Sequence, residues 1–459
     1  MSETNSSCLL TVSLIQQTPL IHFQHDQIGA TLRATEVKPK LDRFLREKYG
    51  EKNIPDDWFV KGDRTTGALN YKLRFHAMGK PERSRAGEYA IAAFEAETRG
   101  DLQEKKEQER KMRSEINGMY FANMVTKKEQ VSHGHPRRKT NAQYAEEVRQ
   151  QYKETVFSAT PIIMTVLCMH SDLRKLIEEH LSEFFLTHNF GTRQSKGFGG
   201  FSVQLQQPED PVAKLRKAGY LFFWTNTGRC APQDCLNHAM TVYAILKGGL
   251  NLTNGNPDSP RYIKSYVQRE FLDEWIRDQK IGSDKALVKS YVLDWNVTDP
   301  DGSHVYEDGY TFIRALLGLA DHYEYHKTIE ATVTIHPGDL KEEIQRFPSP
   351  ITVKIVDGKL IFLLDTEAIQ PILDRRFFFL TKEQENSLPR FNSPEEKLAY
   401  LEEHYPNNWI CTPKQFSKKD AYALLSGFVR YFNDKRFKLE KFSAPHKASN
   451  ALELKMGGN

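Results

Sequence analysis

Four glycines within ten residues, Gly191, Gly197, Gly199 and Gly200, enclose Arg193, Gln194, Ser195 and Lys196. Glycine adopts positive φ at no steric cost and lets another chain approach its backbone, so such a loop can turn successive amides toward an anion. Arg193 and Lys196 bring positive charge to the same ligand, and Phe198 or Phe201 can stack on a base. This chemistry suits a phosphate chain carrying bases. The loop is not a Walker A motif, because no Gly-Lys-Ser/Thr follows, and its glycine spacing and context differ from those of a dinucleotide fingerprint. The same composition also fits a wide hairpin loop in which the glycines serve geometry alone.

Two other segments carry candidate chemistry. In Gly29 to Leu45 (GATLRATEVKPKLDRFL), Arg33, Lys38, Lys40 and Arg43 lie near the start of a helix, where unpaired amides and the helix dipole favour phosphate. A solvated helix face is the plainer reading of that charge. His22, Gln24 and His25 follow closely on the first strand, and two histidines can act as acid and base for metal-free cleavage of RNA by its own 2′-hydroxyl. Polar readout, or a plain packed imidazole, is the plainer reading, and no third catalytic partner is identifiable. Cys230 and Cys235, with His238 one helical turn beyond, fall short of a tetrahedral zinc set, so neither a metal nor another cofactor is expected.

The elements that position these residues are legible from periodicity. Leu9 to Gln16 alternates as a strand, and Val37, Leu41, Phe44 and Leu45 form the apolar stripe of a helix ending near Gly50. Tyr71 to His76 alternates again. Pro161 to Cys168 is an apolar run of strand length, and Ser171 is placed to cap a helix with Leu173, Leu176, Ile177, Leu181 and Phe184 on one face. The order strand, helix, glycine-rich loop, strand then leads into Val203. Between these blocks, residues 80 to 151 are dominated by charge and read as an inserted segment, partly exposed helix and partly mobile loop. Further on, two β-rich runs flank Asp357-Gly358, a dipeptide that favours a tight hairpin, and Phe416 to Phe432 reads as a helix.

Bulk properties limit the alternatives. A chain of 459 residues exceeds one ordinary core, so two domains are expected, 1–230 with the insertion and 231–459, each mixing strands and helices in α+β fashion. The 64 Lys and Arg nearly balance 60 Asp and Glu, so any basic surface must be local. Five scattered cysteines do not form a disulfide scaffold, no run is long and apolar enough to span a membrane, and a cytoplasmic protein is expected.

These motifs resemble the RAMP superfamily of CRISPR-associated proteins. Gly191 to Gly199 (GTRQSKGFG) resembles the family's glycine-rich loop, Leu9 to Leu45 its opening strand and Gly-x-x-x-Arg approach to the first helix, and Arg346 to Ile355 (RFPSPITVKI) its Ser-Pro segment before a late strand. The resemblance implies two ferredoxin-like, RRM-related domains that hold guide RNA, repeat RNA or a guide–target duplex beside other effector subunits. It is nearest the two-domain subunit at the guide 3′ end of type III Cmr complexes. The implied role is non-catalytic RNA binding through Gly191, Arg193, Gln194, Ser195, Lys196, Gly197, Phe198, Gly199 and Gly200, with Arg33, Lys38, Lys40 and Arg43 as a second basic surface. The alternatives are a metal-independent endoribonuclease using His22 or His25, and a protein-interaction scaffold.

Overall fold

A computed structural model of the protein describes residues 8–21, 31–83, 86–116, 155–228, 230–251, 262–263, 265–271, 311–319, 322–325, 331–337, 347–406, 408–435 and 452–458. The first sheet is built from β1 (Leu9–Gln16), β3 (Lys72–Ala77), β6 (Ile162–Leu167) and β7 (Phe201–Val203), all antiparallel, in the spatial order β3-β6-β1-β7. Helix α1 (Ala34–Tyr49) connects the first two of these strands and α4 (Ser171–Thr187) the last two. Alternation along β1 and β6 turns Leu14, Ile162, Met164 and Val166 inward, where they meet Val37, Leu41, Phe44 and Leu45 of α1 and Leu173, Ile177, Leu181 and Phe184 of α4. The residue at the start of α4 differs from expectation. His170 takes the N-cap position and Ser171 is already helical, with no side-chain cap.

The second sheet repeats this plan. Its strands are β8 (Leu221–Asn226), β13 (Ile351–Val356), β14 (Lys359–Leu364) and β17 (Lys455–Met456), in the order β13-β14-β8-β17. Helices α6 (Pro232–Tyr243) and α8 (Lys418–Asp434) occupy the same two connections. In both sheets the second strand in sequence lies at one edge, followed by the third, first and fourth. The β13–β14 hairpin turns at Asp357 and Gly358, both at positive φ (48° and 69°), as a two-residue primed turn requires. β8, which precedes residue 230, is hydrogen-bonded to β14 and β17, and α5 (Pro211–Lys217) lies between β7 of the first sheet and β8 of the second.

Each half carries additions. In the first, β2 (Leu20–Ile21), β4 (Glu82–Arg83) and β5 (Thr155–Phe157) form a small sheet, and the charged insertion contributes α2 (Ala86–Arg99) and α3 (Leu102–Ile116). In the second, β9 (Leu250–Asn251) pairs with β10 (Tyr262–Ile263). Strands β11 (His322–Tyr325), β12 (Ala331–Pro337), β15 (Arg376–Thr381) and β16 (Trp409–Cys411) form another four-stranded sheet, beside α7 (Pro394–His404). No helix among the described residues is long and apolar enough to cross a membrane.

Candidate nucleic-acid interface

The glycine-rich loop joins α4 to β7 and lies where the two halves meet. Its glycines do not present amides to a ligand. Gly191 N–H donates to a carboxylate oxygen of Glu36, Gly197 N–H to Gln194 O, Gly199 N–H to Pro19 O (2.8 Å) and Gly200 N–H to Thr18 Oγ1 (2.8 Å). Thr18 Oγ1 in turn donates to Gly197 O at 2.6 Å. These internal partners overturn the expectation of a glycine cradle for phosphate. The glycines are there because the chain is crowded. At Gly199 (φ +66°) a Cβ would overlap the Phe190 carbonyl, and at Gly191 (φ +78°) the Ile21 carbonyl.

Phe198 and Phe201 are fully buried, which corrects the expectation that either ring stacks on a base. Phe201 belongs to the core of the first half. Phe198 instead packs with Phe223, Leu236, Val353 and Phe362 in the core of the second half, so the loop crosses the boundary between the halves.

The reciprocal crossing is made by a lysine that sequence reasoning did not single out. Lys354 on β13 is fully buried, and its Nζ donates to Phe185 O (2.8 Å), His188 O (3.0 Å) and Asn189 Oδ1 (2.8 Å) at the C-terminal end of α4. Those carbonyls have no partner within the helix and lie at the negative end of its dipole, so a cation is well matched to them. Burial, with Lys40 nearby, brings the Lys354 ammonium down to about 7. Asn189 extends the connection, its Nδ2 donating to Gln194 O (2.7 Å) and to Val353 O (2.8 Å). Burial holds the adjacent His188 neutral, at about 4, with Lys40, Lys354 and Arg43 adding positive charge around it.

The tip is different. Arg193 adopts a left-handed conformation (φ 57°) and starts a short 3-10 turn through Gln194, Ser195 and Lys196. Gln194 is exposed, and Arg193, Ser195 and Lys196 are half-buried. The Lys196 ammonium lies 3.3 Å from the centroid of the Tyr243 ring. Of the α1 cations, Lys40 donates to Asn189 O (2.8 Å) and to Gln194 Oε1, so the two basic segments found separately in the sequence are in contact. Lys38 faces inward, donating to Asp42 Oδ2 and Leu69 O at 2.7 Å each. Arg33 is the N-cap residue of α1, and Arg43 is exposed on the helix surface.

His22, Gln24 and His25 lie outside the described residues. Cys230 Sγ donates to Ala231 O and Cys235 Sγ to Thr227 Oγ1, each at 3.5 Å, while the buried His238 Nδ1 has no hydrogen-bond partner. No cluster of three or more His, Cys, Asp or Glu suited to a metal occurs among the described residues.

Two family models match the sequence, the Cmr1 N-terminal domain over residues 7–250 and the Cmr1 C-terminal domain over residues 262–451. The chain belongs to the Cmr1 family. It is therefore a RAMP-type subunit of the type III Cmr CRISPR effector, a complex of several subunits, and other effector subunits are its partners. Cmr1 is a family of non-catalytic subunits. A crystal structure of Cmr1 from Pyrococcus furiosus in its apo form matches with a TM-score of 0.34 and 8% identity, covering 78% of this chain and 88% of that one. No curated protein matches in sequence. The N-terminal Cmr1 model extends past β8 and α6, whereas the strand pairing puts β8 in the second sheet.

Proposed function

We propose that this Cmr1-family subunit holds guide RNA or a guide–target duplex in the effector without cleaving it, through the loop tip and the outer surface of α1. Arg193 and Arg43 are the phosphate contacts, Gln194 and Ser195 supply hydrogen bonds, and Arg33 and Lys196 border the surface. The supporting observation is the hydrogen bond from Lys40 to Gln194, which makes one contiguous cationic surface from two segments far apart in sequence. Lys40 and Lys38 set the shape of that surface rather than touching RNA, because each ammonium is held by protein oxygens. The βαββαβ order in each half, with strands arranged 2-3-1-4, supports two ferredoxin-like domains as the scaffold, and so a rigid mount for the tip.

The test is binding of fluorescein-labelled guide RNA across a salt series. Replacing Arg193 and Arg43 together by alanine is expected to lower affinity and to reduce the salt slope by about 1.4, since each neutralised phosphate of a single strand contributes about 0.7. An unchanged affinity and slope would show that RNA binds elsewhere.

A further inference from the structure

The loop tip belongs to the first half, but its conformation is fixed by the second. Gln194 O, within the tip, accepts from Asn189 Nδ2, and Asn189 Oδ1 accepts from Lys354 Nζ. Lys354 approaches from β13, a strand of the other sheet, and Val353 O on the same strand takes the second Asn189 proton. Phe198, just beyond the tip, is seated in the second core.

We propose that Lys354 is a positioning residue for RNA binding. Through Asn189 it holds the Arg193–Lys196 turn in its binding conformation, and so makes RNA affinity depend on how the second half is docked. This rests on the reading that the tip contacts RNA. Lys354 cannot touch RNA itself, since its ammonium is fully enclosed. Its partners are all neutral oxygens, Phe185 O, His188 O and Asn189 Oδ1 at 2.8 to 3.0 Å and Phe201 O at 3.5 Å, and all three N–H donors are present only while the amine is protonated. The neutral amine has two donors and turns a lone pair toward one of those oxygens. The charged and titratable groups nearest it are Lys40 from α1 and His188 at the end of α4, with Arg43 beside His188 and Glu36 beside Lys40. His188 is held neutral by burial, Lys40 Nζ is bonded to Asn189 O, and a Glu36 oxygen is held by Gly191 N–H.

The experiment uses the full chain and two variants. Lys354→Met removes the donor while keeping the chain length. Asn189→Asp keeps an acceptor for Lys354 but removes the donor to Gln194. Hydrogen exchange over residues 189–200 and anisotropy with fluorescein-labelled single-stranded RNA are measured for each. In Lys354→Met the amides of 192–197 are expected to lose about tenfold protection. RNA affinity is expected to fall about tenfold as an unordered tip must be fixed on binding. Wild-type affinity should also weaken as pH rises from about 6 to about 8.5, while Lys354→Met stays weak and flat. If Lys354→Met fails to fold, Asn189→Asp carries the test, folded and with the same loss of tip protection. Unchanged protection and affinity in folded Asn189→Asp would overturn the proposal. Loss of protection in these variants, with no effect of Arg193→Ala and Arg43→Ala on RNA, would refute the RNA reading while leaving Lys354 as the residue that orders the tip.

Discussion

The base and the tip of the Gly191–Gly200 loop are a few residues apart and were both candidates for contacting RNA, yet they do different work. The base, with Gly191, Gly197, Gly199, Gly200 and Phe198, is buried, and its glycine amides bond within the protein. The tip, Arg193 to Lys196, reaches the surface on one short turn. Glycine richness here reports crowding at a junction, whereas the capacity for a ligand lies in the side chains that the crowding holds in place.

Four measurements sharpen or break this contrast. Phe198→Ala should destabilise most, by about 4 kcal/mol in denaturant unfolding, since a fully buried ring is removed from the second core. A loss under 1 kcal/mol would mean that the ring is not a core residue. Gly199→Ala should cost about 3 kcal/mol, combining the left-handed penalty with overlap at the Phe190 carbonyl. A tolerated alanine would remove the case for crowding.

The pH dependence of stability comes next. Lys354 falls from its ordinary 10.5 to about 7 in the folded protein, so between those values the unfolded chain binds the extra proton. Stability from this group therefore rises with pH above about 7, at up to about 1.4 kcal/mol per unit, and is lost as pH falls through that window. Denaturant midpoints measured from about pH 7 to about pH 9 should show this slope in the wild type relative to Lys354→Met. A parallel pair of curves would place Lys354 in water. The smallest effect belongs to the tip. Arg193→Ala and Arg43→Ala should each shift stability by no more than about 0.5 kcal/mol. A larger loss would make them structural, like the base.

Much of the scaffold was legible in the sequence. The α1 stripe of Val37, Leu41, Phe44 and Leu45, the alternation in β1, and the Asp357-Gly358 hairpin all arise from short-range patterns that the fold keeps. The partners of the loop were not legible, because they come from the other half of the chain. In β13 (ITVKIV), alternation puts Lys354 on the face opposite Val353 and Ile355, which ordinarily means solvent. Instead the first half covers that face, and Lys354 is buried with both neighbours. The sequence signal was a lone charged residue in a strand of β-branched residues. Phe198 misled for the same reason, since a phenylalanine between glycines looks exposed until a second core is found to receive it. The pairing of β8 was not legible either, because it follows the first sheet closely in sequence but bonds to a strand more than a hundred residues later.

The bond between Lys354 and Asn189 spans 165 residues of chain. During synthesis at about 5–20 residues per second, the loop leaves the ribosome roughly ten to thirty seconds before its lysine does. Through that interval Phe198 has no second core to enter and Asn189 no lysine to bond, although the loop's glycines already have their partners in the first half. The loop is thus completed late in the protein's own translation, and a truncated product ending before Lys354 would carry it unfinished.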